Sequence, residues 1–377
     1  AMSEIARVFT GADIHDGKHL HHGKVLAQMQ DGSRRILAFE DVPQGMPTER
    51  LQAGVLCPGF VDLQVNGGGG VMFNDSPDAA TLRRMAKAHR STGVVALLPT
   101  LITDTPDKTE AAIEAVAAAI AEGVPGIIGL HLEGPHLALS RKGAHDGALI
   151  RPMEGADLAL ILRAAVLLPN LMVTVAPENT SAAQIAAMAE AGVIVSLGHS
   201  DADYETSMAA FDAGATCVTH LFNAMSQMGN RAPGLVGAAL ARDGVHAGLI
   251  ADGIHVHTAT MRNALAAKGE GIFLVSDAMA TAGSDIAGFT LNGREVYRAE
   301  GRLTLADGTL AGADLALGHA VRSLIHAVGE PLETALARAI SGPLALLRDD
   351  MGLGRIESAG QPLLLFDPES GAVDLLA

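Results

Sequence analysis

The feature that most constrains the fold is a regular alternation of short apolar runs with alanine-rich stretches. Eight runs of strand length occur at 59–65, 94–101, 127–132, 171–176, 194–197, 217–222, 246–251 and 272–276. Most are separated by stretches with helical periodicity, at 79–91, 108–122, 156–168, 181–191, 203–213 and 258–268. Eight strands that alternate with helices predict an α/β protein built on a (β/α)8 TIM-like barrel.

An open, doubly wound sheet is the alternative arrangement of such elements. It usually carries a GxGxxG phosphate-binding turn after its first strand. Here residues 67–70 are four consecutive glycines, which lack that spacing. The sequence therefore favours the barrel.

Both ends of the chain have a different pattern from the middle. Up to residue 57 the sequence consists of short strand-like runs separated by turns, and 361–367 and 373–375 are similar. We predict a small β-sandwich domain formed by 1–57 plus 358–377. The barrel domain would then occupy 58–357.

Composition excludes several classes of protein. The 377 residues are 49% hydrophobic and 18% charged, which rules out a disordered chain. A formal net charge of −16 argues against a nucleic-acid partner, and 3% aromatic residues argue against a stacking surface. Neither a signal peptide nor a membrane-spanning run is visible, and the two cysteines lie in apolar runs. We therefore expect a cytoplasmic protein with no membrane partner.

Polar residues stand where the predicted strands end. In a (β/α)8 barrel the carboxyl ends of all strands meet on one rim, where functional residues collect. Glu133, His199 and His220 would converge there. The complete set of polar strand-end residues is Gln64, Asn66, Thr100, Glu133, Glu178, His199, His220, Asp252 and Asp277.

One carboxylate with two imidazoles is typical of a catalytic zinc site whose fourth position is left to water. The same ligands also accept Fe(II), Co(II) or Mn(II). Asp277 would lie beside them, where a carboxylate can take a proton from water and deliver it to a leaving nitrogen. The alternatives are three polar residues without a metal and, for Asp277, a helix cap.

Five segments carry a resemblance to a known family. They are 58–62 (PGFVD), 131–136 (HLEGPH), 197–200 (LGHS), 219–225 (THLFNAM) and 276–278 (SDA). In this order they resemble the N-acetylglucosamine-6-phosphate deacetylases of the amidohydrolase superfamily. The resemblance implies a metal-dependent hydrolase that removes acetate from an amino sugar phosphate. It also implies a barrel with a split β-sandwich.

The resemblance assigns roles to individual residues. Glu133, His199 and His220 match the metal ligands, and Asp277 matches the general base and acid. His145 matches a histidine that orients the substrate or polarises its amide carbonyl. Amide hydrolysis would give acetate and glucosamine 6-phosphate.

Four further residues match the substrate-binding positions of the family. Asn223 and Ala224 match positions whose polar groups meet the sugar phosphate, while Arg231 and His255 match the cations on its phosphate side. Taken alone, Arg231 is better explained as a solvated loop charge, and the alternative for His255 and His145 is a loop histidine. The partner implied is a small amino sugar phosphate, and we expect a homodimer or homotetramer. The loop of Arg231 could serve its own subunit or a neighbouring one.

One departure from the wider superfamily concerns the first predicted strand. Many amidohydrolases have His-x-His there and bind a second metal, whereas this chain has Gln64 and Asn66. Neutral amides are poor ligands for transition metals. We therefore expect one divalent ion per chain, with Zn2+ first and Fe2+, Co2+ or Mn2+ as alternatives. The fourth strand also has no lysine that could form a carbamate bridge between two metals, and it ends at Glu178. Glu178 is therefore expected to hold the fold or a neighbouring loop and not a metal.

Two other functions compete with deacetylation. A different amidohydrolase, such as a cyclic amidase or a deaminase, would usually need the missing His-x-His pair. A catalytically silent barrel that binds a sugar phosphate would not need Asp277 or an intact ligand set. Both remain open at this point.

Overall fold

The computed structural model of the chain describes residues 5–376, and its first part is a series of short strands. A single 3-10 turn, Phe39–Asp41, follows the fifth strand. The strands are β1 (Ile5–Thr10), β2 (Asp13–His15), β3 (Leu20–His21), β4 (Lys24–Met29), β5 (Arg34–Ala38), β6 (Thr48–Arg50) and β7 (Val55–Pro58).

Eight parallel strands form the next and central part. They are β8 (Phe60–Val65), β11 (Val94–Ile102), β12 (Leu130–Glu133), β13 (Leu171–Val175), β14 (Ile194–Leu197), β15 (Cys217–Val218), β16 (His246–Leu249) and β17 (Ile272–Leu274). Each strand pairs with the next along the chain. A small hairpin, β9 (Gly67–Gly68) and β10 (Val71–Met72), follows β8. The predicted (β/α)8 barrel is confirmed.

Seven helices lie between the barrel strands. They are α1 (Ala79–Arg90), α2 (Pro106–Ala121), α3 (Gly155–Leu167), α4 (Ala182–Glu190), α5 (Tyr204–Ala213), α6 (Gly234–Ala241) and α7 (Thr258–Lys268). Side chains of Asp78, Thr105, Ser181 and Asp203 accept hydrogen bonds from first-turn N–H groups and so begin four of them. Helix α6 escaped prediction because most of its residues are buried and two are glycines, so no amphipathic pattern marks it.

The barrel is closed between its last and first strands by main-chain hydrogen bonds at the rim. The N–H of Asp277 donates to the carbonyl of Gln64 at 3.1 Å, and the N–H of Asn66 donates to the carbonyl of Ala278 at 2.8 Å. These bonds fix the strand ends that carry Gln64, Asn66 and Asp277 next to one another.

The lower part of the same seam is closed by a segment from outside the barrel. The carbonyls of Arg338 and Ala339 accept hydrogen bonds from Leu274 and Val61, each at 2.9 Å. The Arg338 guanidinium is almost completely buried and pairs with Glu330 at 2.6 and 2.9 Å. One buried ion pair thus supports the joint between β17 and β8.

A four-stranded antiparallel sheet follows Asp277 and covers part of the rim. Its strands are β18 (Gly288–Leu291), β19 (Arg294–Ala299), β20 (Arg302–Thr304) and β21 (Leu310–Ala313). Leu291 and Val296 pack against Met72, Ile102 and Met279 of the barrel top. We call this sheet the rim sheet. It was not predicted from the sequence.

The remaining elements lead back to the first domain. Helix α8 (Leu317–Ser323) continues into a π-helical turn, Leu324–Val328, and is followed by α9 (Leu332–Ala337) and α10 (Ser341–Leu344). Two further 3-10 turns lie at Leu139–Arg141 and Gly269–Gly271. The chain ends in β22 (Leu363–Phe366) and β23 (Val373–Leu376).

The first and last strands form two facing sheets. One has the order β5-β4-β1-β6 and the other β23-β22-β7-β2-β3. Phe9 and Leu26 of the first sheet pack against Ile14, Leu56 and Leu363 of the second. Both ends of the described chain therefore share one β-sandwich. The boundaries at 57/58 and 357/358 stay a prediction, and residues 1–4 and 377 of that predicted domain lie outside the described residues.

Within residues 5–376, no helix combines the length and the apolar character that crossing a bilayer requires.

The buried ion pair at the barrel seam gives a first prediction. Arg338→Ala leaves Glu330 buried without its cation, so we expect the free energy of unfolding to fall by about 3–5 kcal/mol. Arg163→Ala is the matched control, because its pair with Glu110 is exposed and should contribute less than about 1 kcal/mol. Denaturant unfolding measures both, and equal losses would contradict the role given to Arg338.

Candidate active site

Three side chains meet at the barrel rim with their ligand-type atoms in mutual contact. Glu133 ends β12, while His199 and His220 follow β14 and β15. Glu133 Oε1 lies 3.0 Å from His199 Nε2 and 3.1 Å from His220 Nε2. The two Nε2 atoms are 3.2 Å apart, and all three residues are buried. The structure therefore brings this predicted set together.

The outer nitrogens of the two imidazoles determine what faces the centre. His199 Nδ1 lies 2.7 Å from the carbonyl of Arg141, and His220 Nδ1 lies 3.1 Å from the carbonyl of Asn223. A carbonyl only accepts, so each Nδ1 must donate, and the Nε2 of a neutral ring then presents a lone pair. Two lone pairs and a carboxylate oxygen consequently point at one another.

Such a cluster needs a positive charge at its centre. In a tetrahedral zinc site with bonds of about 2.0–2.1 Å, ligand atoms lie about 3.3 Å apart. The separations of 3.0 to 3.2 Å found here are close to that value. The residues present therefore fit a divalent metal ion.

Electrostatics support the same conclusion. Burial would raise the pKa of Glu133, but its close contacts with His199 and His220 hold it well below its usual range. Burial would lower the pKa of His220, but Glu133 raises it to about 9. In the protein alone a proton on His220 balances the carboxylate, and a metal cation can take the place of that proton.

His145 joins the cluster in a different role. Its Nε2 lies 3.8 Å from Glu133 Oε1, and ligand atoms of Glu133, His145 and His199 fall within 4.8 Å of one another. However, its Nδ1 lies 2.8 Å from the Thr103 hydroxyl and accepts the N–H of Thr103 at 3.3 Å, and burial lowers the pKa of His145 to about 3. The ring is therefore neutral with its proton on Nε2. It presents a hydrogen-bond donor to the site and not a lone pair.

The segment that carries His145 is held by the rim sheet. Arg294 Nη2 donates to the carbonyl of Ala144, next to His145, and the Ala144 side chain packs on the rim-sheet core. The position of the donor ring thus depends on β19.

Asp277 lies beside the cluster and is held by two amides. Its Oδ1 accepts Asn66 Nδ2 at 2.7 Å and Gln64 Nε2 at 3.3 Å. The Gln64 amide also lies 3.4 Å from Glu133 Oε2. Burial, followed by the charge of Glu133, raises the pKa of Asp277 to about 6. The two amides act here as donors to carboxylates, and Asp277 can exchange a proton near neutral pH.

The backbone at the site is strained in a way that sequence patterns do not reveal. Residues 5–376 contain eight non-glycine residues with positive φ. Five of them lie at the site: His199 (47°), His220 (35°), Phe222 (77°), Ala224 (53°) and Asp277 (51°). Each such residue costs about 1–3 kcal/mol and persists only where the surroundings enforce it.

Glu178 supports the loop that follows His199. Its carboxylate accepts the Ser200 hydroxyl at 2.5 Å and the Asp201 N–H at 2.7 Å. The expectation that Glu178 holds a neighbouring loop is confirmed.

The predicted second-strand residue was placed wrongly. Strand β11 extends to Ile102, so Thr100 lies inside the barrel, where its hydroxyl accepts the N–H of Val65 at 2.9 Å. The residue at the rim is Thr103, which the sequence reading missed. The apolar residues Leu101 and Ile102 after Thr100 were the available signal.

The predicted substrate residues are only partly gathered at the site. The Asn223 carbonyl orients His220, and the Ala224 carbonyl accepts the N–H of Ser200 at 3.2 Å. His255 Nδ1 lies 2.6 Å from Asp252 Oδ2, and both side chains are buried. Arg231 is exposed on its loop, and no hydrogen bond or ion pair within the described chain ties it to the cluster.

Comparison with solved structures agrees with this architecture. The N-acetylglucosamine-6-phosphate deacetylase from Pasteurella multocida superimposes with a TM-score of 0.90 at 35% identity, over 97% of this chain and 96% of that one. The enzyme of the same name from Mycobacterium smegmatis, in complex with N-acetyl-D-glucosamine-6-phosphate, gives 0.88 at 30% identity, over 98% and 97%.

Curated relatives include deacetylases for two amino sugars. The chain is 45% identical to the N-acetylgalactosamine-6-phosphate deacetylase of Shewanella sp. strain ANA-3, over 80% of this chain and 76% of that one. It is 35% identical to the N-acetylglucosamine-6-phosphate deacetylase of Haemophilus influenzae, over 85% and 84%. Residues 55–319 match the Amidohydrolase family. The chain therefore belongs to the amidohydrolase family, on the branch that holds these amino sugar phosphate deacetylases.

Proposed function

We propose that this protein hydrolyses the acetamide of N-acetyl-D-glucosamine 6-phosphate to D-glucosamine 6-phosphate and acetate, in the breakdown or recycling of amino sugars. The observation that carries the proposal is the buried meeting of Glu133, His199 and His220 beside Asp277. Relatives that cover most of the chain and bear this activity in their names support it.

We assign one divalent ion per chain to this site, with Zn2+ first and Fe2+, Co2+ or Mn2+ also compatible with the ligand types. Glu133 Oε1 and the Nε2 atoms of His199 and His220 would hold it. Such an ion supplies Lewis acidity: it polarises a carbonyl and lowers the pKa of a water molecule.

The chain itself supplies the proton transfers. Asp277 accepts a proton from the attacking water and later delivers it to the sugar nitrogen as the C–N bond breaks. Gln64 and Asn66 hold the Asp277 carboxylate in place for both steps. His145 donates its Nε2 proton as a hydrogen bond to the carbonyl oxygen, where negative charge develops. Acetate and the free amine leave.

Binding of the phosphate must overcome the charge of the protein. A net charge of −16 repels a dianion at long range, so local cations are needed. We assign the sugar phosphate to Asn223 and Ala224 with Arg231 and His255 on the phosphate side. The exposed loop of Arg231 serves its own subunit or its neighbour in the homodimer or homotetramer that we propose.

A second candidate substrate is N-acetyl-D-galactosamine 6-phosphate. The specific observation in its favour is the 45% identity to a relative named for that sugar, compared with 35–36% for relatives named for the glucosamine sugar. The two substrates differ only in the configuration of one hydroxyl, and the amide chemistry is the same.

Acetate release tests the proposed function directly. The metal-loaded protein is assayed with both N-acetylated sugar phosphates and with unphosphorylated N-acetylglucosamine. A charge-assisted contact to phosphate is worth about 1.5–3 kcal/mol, so kcat/KM for a phosphorylated sugar should exceed that for the free sugar by at least about 10-fold. Preference for the galactosamine epimer would favour the second candidate. Absence of turnover with either sugar phosphate would contradict the proposal and favour a catalytically silent barrel that only binds a sugar phosphate.

Removal of the proton acceptor gives the next prediction. Asp277→Asn should lower kcat by about 10²–10⁴-fold, because general acid–base catalysis contributes that much, while KM and metal content stay unchanged. Asp203→Asn is the control, since asparagine caps a helix as well as aspartate does. A variant at position 277 that keeps kcat within a few-fold of the parent would show that another group is the base.

Metal content gives a third prediction. Elemental analysis of the purified protein should find about one divalent ion per chain, because Gln64 and Asn66 donate hydrogen bonds to carboxylates and leave no second ligand set. Glu133→Gln should lose most of this ion, whereas Glu190→Gln, on the exposed side of α4, should retain it. Two tightly held ions in the parent would refute the interpretation of the first strand.

A further inference from the structure

A second cavity lies between the β-sandwich and the lower end of the barrel. Its volume of about 430 Å³ falls within the range of roughly 300–1,000 Å³ typical of small-molecule sites. Arg34 and Arg90 line it together with the amide side chains of Gln28 and Gln361. Leu375 and Leu376 form an apolar part of its wall.

Arg34 is a buried cation without a counter-charge. It begins β5 opposite Gln28 of β4, and only 7% of its surface is exposed. Its guanidinium donates to the carbonyls of Ile356 and Gln361 at 3.2 and 2.8 Å, while its Nε is buried without a partner. No carboxylate of residues 5–376 forms an ion pair with it. A buried charge normally requires such a partner.

Arg90 adds a second positive charge to the cavity lining. It is the last residue of α1 and is half-buried, and its guanidinium forms no hydrogen bond or ion pair with the rest of the described chain. The cavity lining contains two arginines and no acidic residue. The acidic residue Asp31 is close to Arg34 in sequence, but its carboxylate accepts hydrogen bonds from the Ser33 N–H and hydroxyl at 2.9 and 2.6 Å. In a chain with net charge −16, a cavity with two unbalanced cations is unusual.

We propose that this cavity binds a small phosphate monoester, with its phosphate between Arg34 and Arg90. Two guanidinium groups match a dianion in charge, and their planar N–H forks match phosphate oxygens in geometry. The oxygen of Gln28 already accepts Arg7 Nε at 2.9 Å, so the NH2 group of Gln28 and the amide of Gln361 are suited to hydroxyl groups of the ester. The two leucines are suited to its carbon skeleton. Carboxylates carry one charge and match the pair less well.

The site is remote from the catalytic cluster. Arg90 precedes the start of β11, whereas Thr103 and the cluster lie beyond its far end. Nine residues of strand separate the two by about 30 Å. The proposal therefore does not rest on the deacetylase function, and each can fail without the other.

Calorimetric titration of the full-length protein tests the proposal, with inorganic phosphate and glucose 6-phosphate as probes. Glucose 6-phosphate has no amide to hydrolyse. We expect glucose 6-phosphate to bind more tightly than inorganic phosphate, and Arg90→Ala to weaken its binding at one site by about 10- to 150-fold. Acetate release by this variant should equal that of the parent.

Lys87→Ala is the matched control, because Lys87 is an exposed cation one turn earlier on α1 and lies outside the cavity lining. It should bind both probes as the parent does. Arg34→Gln, measured together with its melting temperature, should also lose the site. Unchanged binding in Arg90→Ala, or an equal loss in Lys87→Ala, would overturn the proposal. Tighter binding of inorganic phosphate than of the ester would overturn the assignment to a monoester.

Discussion

The rest of the site depends on one constraint: three potential ligand atoms, a carboxylate oxygen and two imidazole nitrogens, lie in contact at the barrel rim. Glu133, His199 and His220 are buried within 3.2 Å of one another, and carbonyls of Arg141 and Asn223 fix the proton on the outer nitrogen of each ring. Their mutual repulsion is relieved by a positive charge, either a proton on His220 or a metal cation that takes its place. The folded chain is therefore preorganised to bind a cation. Bringing these atoms together costs free energy, and binding of a positive charge offsets that cost.

Preparation of this kind requires rigid support. Glu133 ends a short parallel strand, and His199 and His220 follow two others. The main-chain hydrogen bonds of these strands continue around the barrel, and the seam between β17 and β8 is closed above and below. The left-handed backbone at His199, His220 and Asp277 is held in place by these neighbours. These three residues lie just beyond the ends of β14, β15 and β17, where the barrel holds the following backbone in place.

Sequence patterns were sufficient for the elements whose residues repeat. The eight strand runs are continuous and apolar because their strands are buried on both faces, so length and spacing alone predicted the barrel. The polar residues that interrupt those runs led to Glu133, His199, His220 and Asp277. Features set by tertiary structure could not be predicted. Helix α6 has no polar face, and the rim residue of β11 is Thr103 and not Thr100 because that strand is longer than expected. Positive φ values at the site leave no mark in the composition.

The rim sheet has a consequence for how this protein can diversify. It begins at Gly288, after Asp277 in the chain, and Ala313 of its last strand donates its N–H to the Asp277 carbonyl at 2.9 Å. Through Arg294 it also holds the segment that carries His145. The metal-type ligands belong to the barrel strands, whereas both groups that would handle protons are attached to one inserted sheet. Mutations in the rim sheet can change the surface that covers the rim and the positions of His145 and Asp277 together. They leave the metal-type ligands unchanged. Divergence of substrate range within such a scaffold can therefore proceed by exchange of a single module.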